Sequence, residues 1–206
     1  MNMIRWPERK RRMEAGLEDA WKMAGHVPED PGLRETFEQL PRAPIRLLVG
    51  PLNKDINQGG LLRIGEAFRI ERIDFNPERD GAVDMSGHRG TKHRLNWRWI
   101  ELDQALAEAI KDGYHPVALS LTERAVSFDR FDWPFPLALV VGAELDGVPV
   151  EIEARCEATV AIPLYGLVQS LNVACATGIV LQNAVSQYAR SHPDFTPARR
   201  ASQRLL

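Results

Sequence analysis

The sequence predicts an α/β fold built on a parallel sheet, and three observations carry that prediction. Short apolar or β-branched runs (Ile45 to Val49, Ile70 to Phe75, His115 to Leu121, Leu137 to Gly142, Ala158 to Ile162) alternate with stretches of helical periodicity, the pattern of strands laid side by side with helices across their faces. Leu137-Ala138-Leu139-Val140-Val141 is apolar without interruption, as a central parallel strand buried on both faces must be. The stretch from Ala158 runs as a strand to Ile162, passes through a loop holding Pro163 and Gly166, and restarts as a long, weakly charged helix. A loop between a buried strand and a buried helix leaves backbone N–H and C=O groups free for a ligand.

The N-terminal part reads as a helical extension over residues 1–42. Pro7 suits a helix start, and Met13, Leu17, Ala20, Trp21 and Ala24 follow at three- and four-residue steps until Gly25, which makes an amphipathic stripe. A second helical piece is expected from about Gly32 to Leu40. The main domain, residues 43–190, opens with the strand Ile45 to Val49 and a loop ending in Asn57. The helix from Gln58 to Phe68 buries Leu61, Leu62, Ile64, Ala67 and Phe68, and sets Arg63 among apolar neighbours. There an Arg either snorkels to the surface or points back at the loop, where its planar fork suits a phosphate.

After the strand Ile70 to Phe75, residues 76–94 are Gly-rich and basic, a surface loop that also suits an RNA backbone. Trp97 and Trp99 alternate with Asn96 and Arg98, so both indoles share one face of a short strand and read as packing. Leu102 to Lys111 is an amphipathic helix stopped by Gly113. In the long last helix, Ser170 is the expected N-cap, and the scarcity of charge from Leu171 to about Tyr188 predicts burial on most sides, Cys175 included. Residues 191–206 form a basic tail.

Composition narrows the function. A chain of 206 residues makes one domain of ordinary size, burying about 70% of its unfolded surface. No apolar run approaches the roughly 18 to 20 residues of a membrane span, and no apolar leader segment is seen at the N-terminus, so a cytoplasmic protein is expected. Cys156 and Cys175 form no metal or redox motif and the five histidines show no ligand spacing, so no metal is expected. The net charge of −2 argues against a generic nucleic-acid binder. The cations are clustered, however: Arg5, Arg9, Lys10, Arg11 and Arg12; Arg89, Lys92, Arg94 and Arg98; Arg190, Arg199, Arg200 and Arg204. Such clusters are either solvated faces or RNA contacts.

The ligand position follows from the strand ends. Loops after Leu121, Gly142 and Ile162 lie at the carboxyl ends of parallel strands, where open α/β sheets bind ligands. They hold no GxGxxG, Walker-type lysine or metal cluster, which fits an adenine-bearing ligand without a polyphosphate.

Three stretches, in this order, resemble the motifs of one family: Asn57-Gln58-Gly59-Gly60-Leu61-Leu62-Arg63, Val140-Val141-Gly142-Ala143-Glu144-Leu145-Asp146-Gly147, and Ile162-Pro163-Leu164 continuing to Gln169-Ser170-Leu171-Asn172. They are similar to the SpoU (TrmH-like) family of the SPOUT superfamily, the RNA ribose 2′-O-methyltransferases, over roughly Ile45 to Arg190. The resemblance implies a parallel-sheet SPOUT fold with a C-terminal trefoil knot, S-adenosylmethionine as cofactor, and a homodimer in which the Arg of one subunit acts near the cofactor of the other. It implies catalytic roles for Arg63, Asn57, Glu144, Ser170 and Asn172, and cofactor contacts from Leu119, Gly142, Ile162 and Leu171. One departure is Arg69, where the family usually ends this helix with Gly.

Thr122 to Phe128 resembles the tRNA-modifying branch, and the intact third motif resembles the enzymes of guanosine-18 in the tRNA D-loop. An rRNA substrate is the alternative, as is a catalytically silent RNA-binding module of the same fold. A ribose hydroxyl is a poor nucleophile, and Arg63 is a poor base because a guanidinium pKa exceeds about 12. The proton passes either to an Arg63 of lowered pKa or to a substrate phosphate that Arg63 holds.

Overall fold

The computed structural model describes residues 39–52, 55–77, 94–142 and 147–196. The helices expected in the N-terminal extension, most of the basic stretch 76–94, Glu144 and the tail from 197 lie outside the described residues. Seven parallel strands form one sheet in the order β3-β2-β1-β6-β4-β7-β5. They are β1 (Ala43–Val49), β2 (Ile70–Phe75), β3 (Asn96–Trp99), β4 (His115–Leu119), β5 (Val126–Ser127), β6 (Leu137–Val141) and β7 (Ala158–Ala161). The helices are α1 (Asp55–Ala67), α2 (Leu102–Lys111), α3 (Val150–Glu153) and α4 (Val173–Ser191).

The apolar run of β6 has the physical cause expected of it. Leu137, Leu139 and Val141 point into the core shared with α1 and α4, while Ala138 and Val140 point into the core shared with α2 and α3. Strand β1 divides its residues the same way, with Ile45, Leu47 and Val49 on one side and Leu48 on the other. Each such fully buried aliphatic side chain is worth roughly 1.5–3 kcal/mol of transfer free energy. Trp97 and Trp99 share a face and pack on Phe75, with ring centroids 6.4 and 5.5 Å from it. The predicted strands and helices of the domain are all present among the described residues. Elements β5 and α3, of two and four residues, are too short to leave a period in the sequence.

Two expectations for the last helix are corrected. It starts at Val173, and its N-cap is Asn172, whose Oδ1 accepts from the backbone N–H of Ala174 and Cys175 at 3.0 and 3.3 Å. Ser170 is exposed and lies too far before the first turn to reach those groups. The helix is also buried along one stripe only, Val173, Thr177, Val180, Leu181 and Ala184, while Cys175 and Ile179 are exposed. A single sheet can cover only one side of a helix, and the residues that would cover the other side are not in this domain as described.

Charged networks fasten the sheet edge. Asp74, whose side chain is 0% exposed, accepts from Arg98 Nε at 2.8 Å and from Arg72 Nη2 at 3.1 Å, and Arg98 continues to Glu108 on α2. Arg46 donates to Glu71 and Asp112 at 2.9 and 2.6 Å and lies over the Tyr114 ring. Burial and then the hydrogen bond to Glu71 push the Tyr114 hydroxyl up to about 12.

Removing the one carboxylate that joins two arginines should be costly. Asp74→Ala is expected to lower the unfolding free energy by about 3 kcal/mol, the scale of a broken buried pair, as measured by urea titration at neutral pH. A loss below about 1 kcal/mol, the range of exposed pairs, would show that the network holds nothing.

Candidate functional site

The carboxyl ends of three neighbouring strands form the rim of the site, because β4 lies between β6 and β7. Leu119 pairs with Val141 on one side and Val160 on the other, and the Ser120 N–H donates to the Val160 carbonyl at 3.0 Å. Leu119, Ile162 and Leu171 are partly buried around this rim. Gly142 is buried, and a Cβ there would fall 1.9 Å from the carbonyl carbon of Gly147. Only glycine lets the chain after the second motif return so closely over the end of β6.

The first and third motifs are brought together by small residues between α1 and α4. A Cβ on Gly60 would lie 3.2 Å from the Ala174 Cβ, and one on Gly178 would lie 3.5 Å from Ile64. This approach lets Asn172 Nδ2 donate to Asn57 Oδ1 at 2.9 Å across 115 positions of chain. Asn57 is 3% exposed, so its carboxamide would lose much without such a partner. Asn172 therefore caps its helix with its oxygen and holds the first motif with its nitrogen.

Arg63 takes the other course from the one its partners suggest. It is exposed and makes no hydrogen bond or ion pair with the described residues of its own chain. At 3.6 residues per turn, six residues place Arg63 about 120° around the helix from Asn57, so it points outward when Asn57 points at α4. Ser170 is exposed in the loop, and Glu144 lies outside the described residues. That loop also exposes Tyr165 (99%) and Leu167 (104%).

One polar node is not visible in the sequence. Glu153, only 7% exposed, accepts from Thr122 Oγ1 and Thr159 Oγ1, both at 3.1 Å, which ties the loop after β4 to α3 and β7. Burial, and after it the charge of Glu153, push the nearby Cys156 thiol up to about 12. A Glu in a four-residue helix reads as surface until the fold supplies its two hydroxyl partners.

The rim tests well against an adenine-bearing ligand. From Ile162 to Asn172 it carries no charged residue, and it combines aliphatic walls at Leu119, Ile162 and Leu171 with the open backbone of the loops. Among the described residues such a lining suits S-adenosylmethionine better than a polyphosphate.

Among the described residues the site is thus a fully parallel α/β sheet whose strand ends are bordered by the uncharged stretch 162–172 and closed by paired asparagines. Residues 44–182 match the SpoU rRNA Methylase family, and the chain belongs to that family. It is 44% identical over 101 residues to the tRNA (guanosine(18)-2′-O)-methyltransferase of Aquifex aeolicus, covering 47% of this chain and 48% of that relative. It is 30% identical over 148 residues to the enzyme of the same name from Thermus thermophilus, covering 69% of this chain and 75% of the relative. The chain thus spans about half the length of the first relative and three quarters of the second. The crystal structure of the A. aeolicus TrmH/SpoU tRNA modifying enzyme superimposes with a TM-score of 0.71 at 26% identity, over 83% of this chain and 88% of the other.

The double role of Asn172 separates two variants. Asn172→Ala is expected to lose about 1–2 kcal/mol of stability with its cap. Asn172→Asp keeps the capping oxygen but sets a carboxylate against Asn57 Oδ1, so it should destabilise less than the Ala variant, which loses cap and contact together, and yet lose methyl transfer as fully. Thermal unfolding and single-turnover transfer measure the two. An Asp variant with full activity would show that the Asn57 contact does not matter.

Proposed function

We propose that this chain transfers a methyl group from S-adenosylmethionine to a ribose 2′-hydroxyl of RNA, with guanosine-18 in the tRNA D-loop as its target. The observation that carries the reading is the Asn57–Asn172 contact beside the uncharged stretch 162–172, where two motifs distant in sequence meet. The names of the relatives support the choice of target. The enzyme works in the cytoplasm, with its RNA.

S-adenosylmethionine supplies an activated methyl group on its sulfonium. Leu119, Ile162 and Leu171 wall its binding place, and Gly142 leaves the backbone there open. The transfer is an in-line displacement, so the protein's work is to align the acceptor oxygen and ease loss of its proton. Arg63 would hold a phosphate next to the target ribose, and that phosphate would take the 2′-hydroxyl proton as the O–C bond forms and the methyl carbon–sulfur bond breaks, the electron pair leaving with the sulfur as a neutral thioether. Asn57 orients the ribose, Glu144 steadies Arg63, and Ser170 and Asn172 close the pocket by hydrogen bonds.

The active form is a homodimer. Arg63 is exposed on α1 away from its own rim, and the outer face of α4 is uncovered beside an open groove of about 580 Å³ lined by Phe68, Phe128, Cys175 and Ile179. A second copy brings an Arg63 to the rim of the first and covers the apolar loop at Tyr165 and Leu167.

Mass-spectrometric mapping of tRNA and rRNA incubated with labelled cofactor tests the reaction. Label is expected on one ribose of the D-loop; label on a base, or in rRNA alone, would overturn the target. Arg63→Ala should cut transfer by about 10²- to 10³-fold, the scale of one preorganised group at a transition state, with cofactor binding retained by calorimetry. Light scattering that found a monomer still active on tRNA would end the dimer reading.

A further inference from the structure

The end of the sheet opposite the rim carries a second group of RNA-type residues. Arg69 ends α1 with φ 52°, the left-handed conformation that glycine adopts freely and side chains resist. Its side chain folds inward until the residue is 5% exposed, and Nε and Nη1 are buried with no hydrogen-bond partner among the described residues. The guanidinium carbon sits 4.3 Å from the centre of the Phe195 ring. Burial, and then the positive charge of Arg42, hold the guanidinium below its usual range. A buried cation with two nitrogens unpartnered among the described residues and a second cation for a neighbour is an expensive arrangement. An incoming anion would relieve it.

The surroundings say which kind of anion. Arg42 donates to the carbonyls of Ile70 and Arg94, and Arg94 pairs with Glu66. Asp194 is exposed in the turn after α4. Phe195 meets Tyr188 edge-on at 5.2 Å, and Tyr188 stacks on the exposed His192 at 3.9 Å. Arginine beside stacked, partly exposed rings is the chemistry by which single-stranded RNA is gripped, phosphate on the cation and base on the ring. A protein carboxylate would use the cation alone.

We propose that Arg69, with Phe195, Tyr188 and His192, forms a second RNA contact, in which Arg69 takes a backbone phosphate and the His192–Tyr188 stack takes an adjacent base. The proposal rests on the reading of RNA as substrate. From Asn172 to His192 the helix spans roughly 30 Å at 1.5 Å per residue, so this contact serves a folded RNA and not an isolated target loop. The turn 193–196 is held by its own hydrogen bonds and by the Phe195 ring contacts, and displacement of that turn alone, with the His192–Tyr188 stack left in place, lets the phosphate reach the buried nitrogens.

Arg69→Gly is a clean test because glycine takes φ 52° without strain, so the variant should melt no lower than the wild type. Full-length protein is titrated with unmodified tRNA transcript across a range of KCl at pH 8, and with S-adenosylmethionine by calorimetry. Arg69→Gly is expected to bind tRNA about tenfold more weakly, with the slope of log K against log salt reduced by about 0.7–0.9, one phosphate's share. His192→Ala should weaken binding with the slope unchanged, and both should bind the cofactor as the wild type does. Wild-type affinity and slope in Arg69→Gly, with the wild type still methylating tRNA, would overturn the contact alone. A wild type that binds no tRNA would overturn the contact together with the substrate reading.

Discussion

The close approach of α1 and α4 is the constraint on which the rest of this domain depends. It is possible because Gly60, Ala174 and Gly178 present almost no side chain at the crossing, so the two helix N-termini meet above the strand ends. That contact covers one face of the sheet, makes the Asn57–Asn172 hydrogen bond, and turns Arg63 outward on the same helix that turns Asn57 in. One packing decision therefore joins the first and third motifs through their asparagines and turns Arg63 away from that contact.

The rim itself is held by backbone and by buried polar groups, with little contribution from its exposed side chains. Gly142 admits the return of the chain at Gly147, and Glu153 gathers Thr122 and Thr159 on a single oxygen. A carboxylate at 7% exposure with two hydroxyl donors is satisfied locally, so it can fix the loop after β4 without bringing a cation to the rim. The uncharged stretch from Ile162 to Asn172 is then free to serve as a wall, which suits an adenine-bearing cofactor better than a phosphate-rich one.

Charge is concentrated away from that wall. Asp74 with Arg72 and Arg98, and Arg46 with Glu71 and Asp112, tie strands to one another and to the end of α2, and each cation there has its anion. Arg69 does not. Where the other buried guanidinium groups complete a network, this one sits at a strained turn beside Phe195, and the contrast is what marks it for a ligand from outside the chain.

The sequence by itself determined the strand and helix succession, because a buried parallel strand and a one-sided helix leave periods of two and 3.6 that are local in the chain. It also determined the family, through Asn57 to Arg63, Val140 to Gly147 and Ile162 to Asn172, since the backbone turns and polar groups of those loops require particular residues at particular spacings. Tertiary structure decided what depends on distant pairs. Asn172 displaced Ser170 as the cap because it could bond both its own helix and Asn57. The face of α4 stayed open because one sheet covers one side of a helix. Glu153 became a buried anchor because Thr122 arrives from the loop after β4 and Thr159 from β7, and Arg69 became a buried cation with two nitrogens unpartnered among the described residues, beneath Phe195. No local pattern encodes these outcomes, for each is set by which residues meet across the fold.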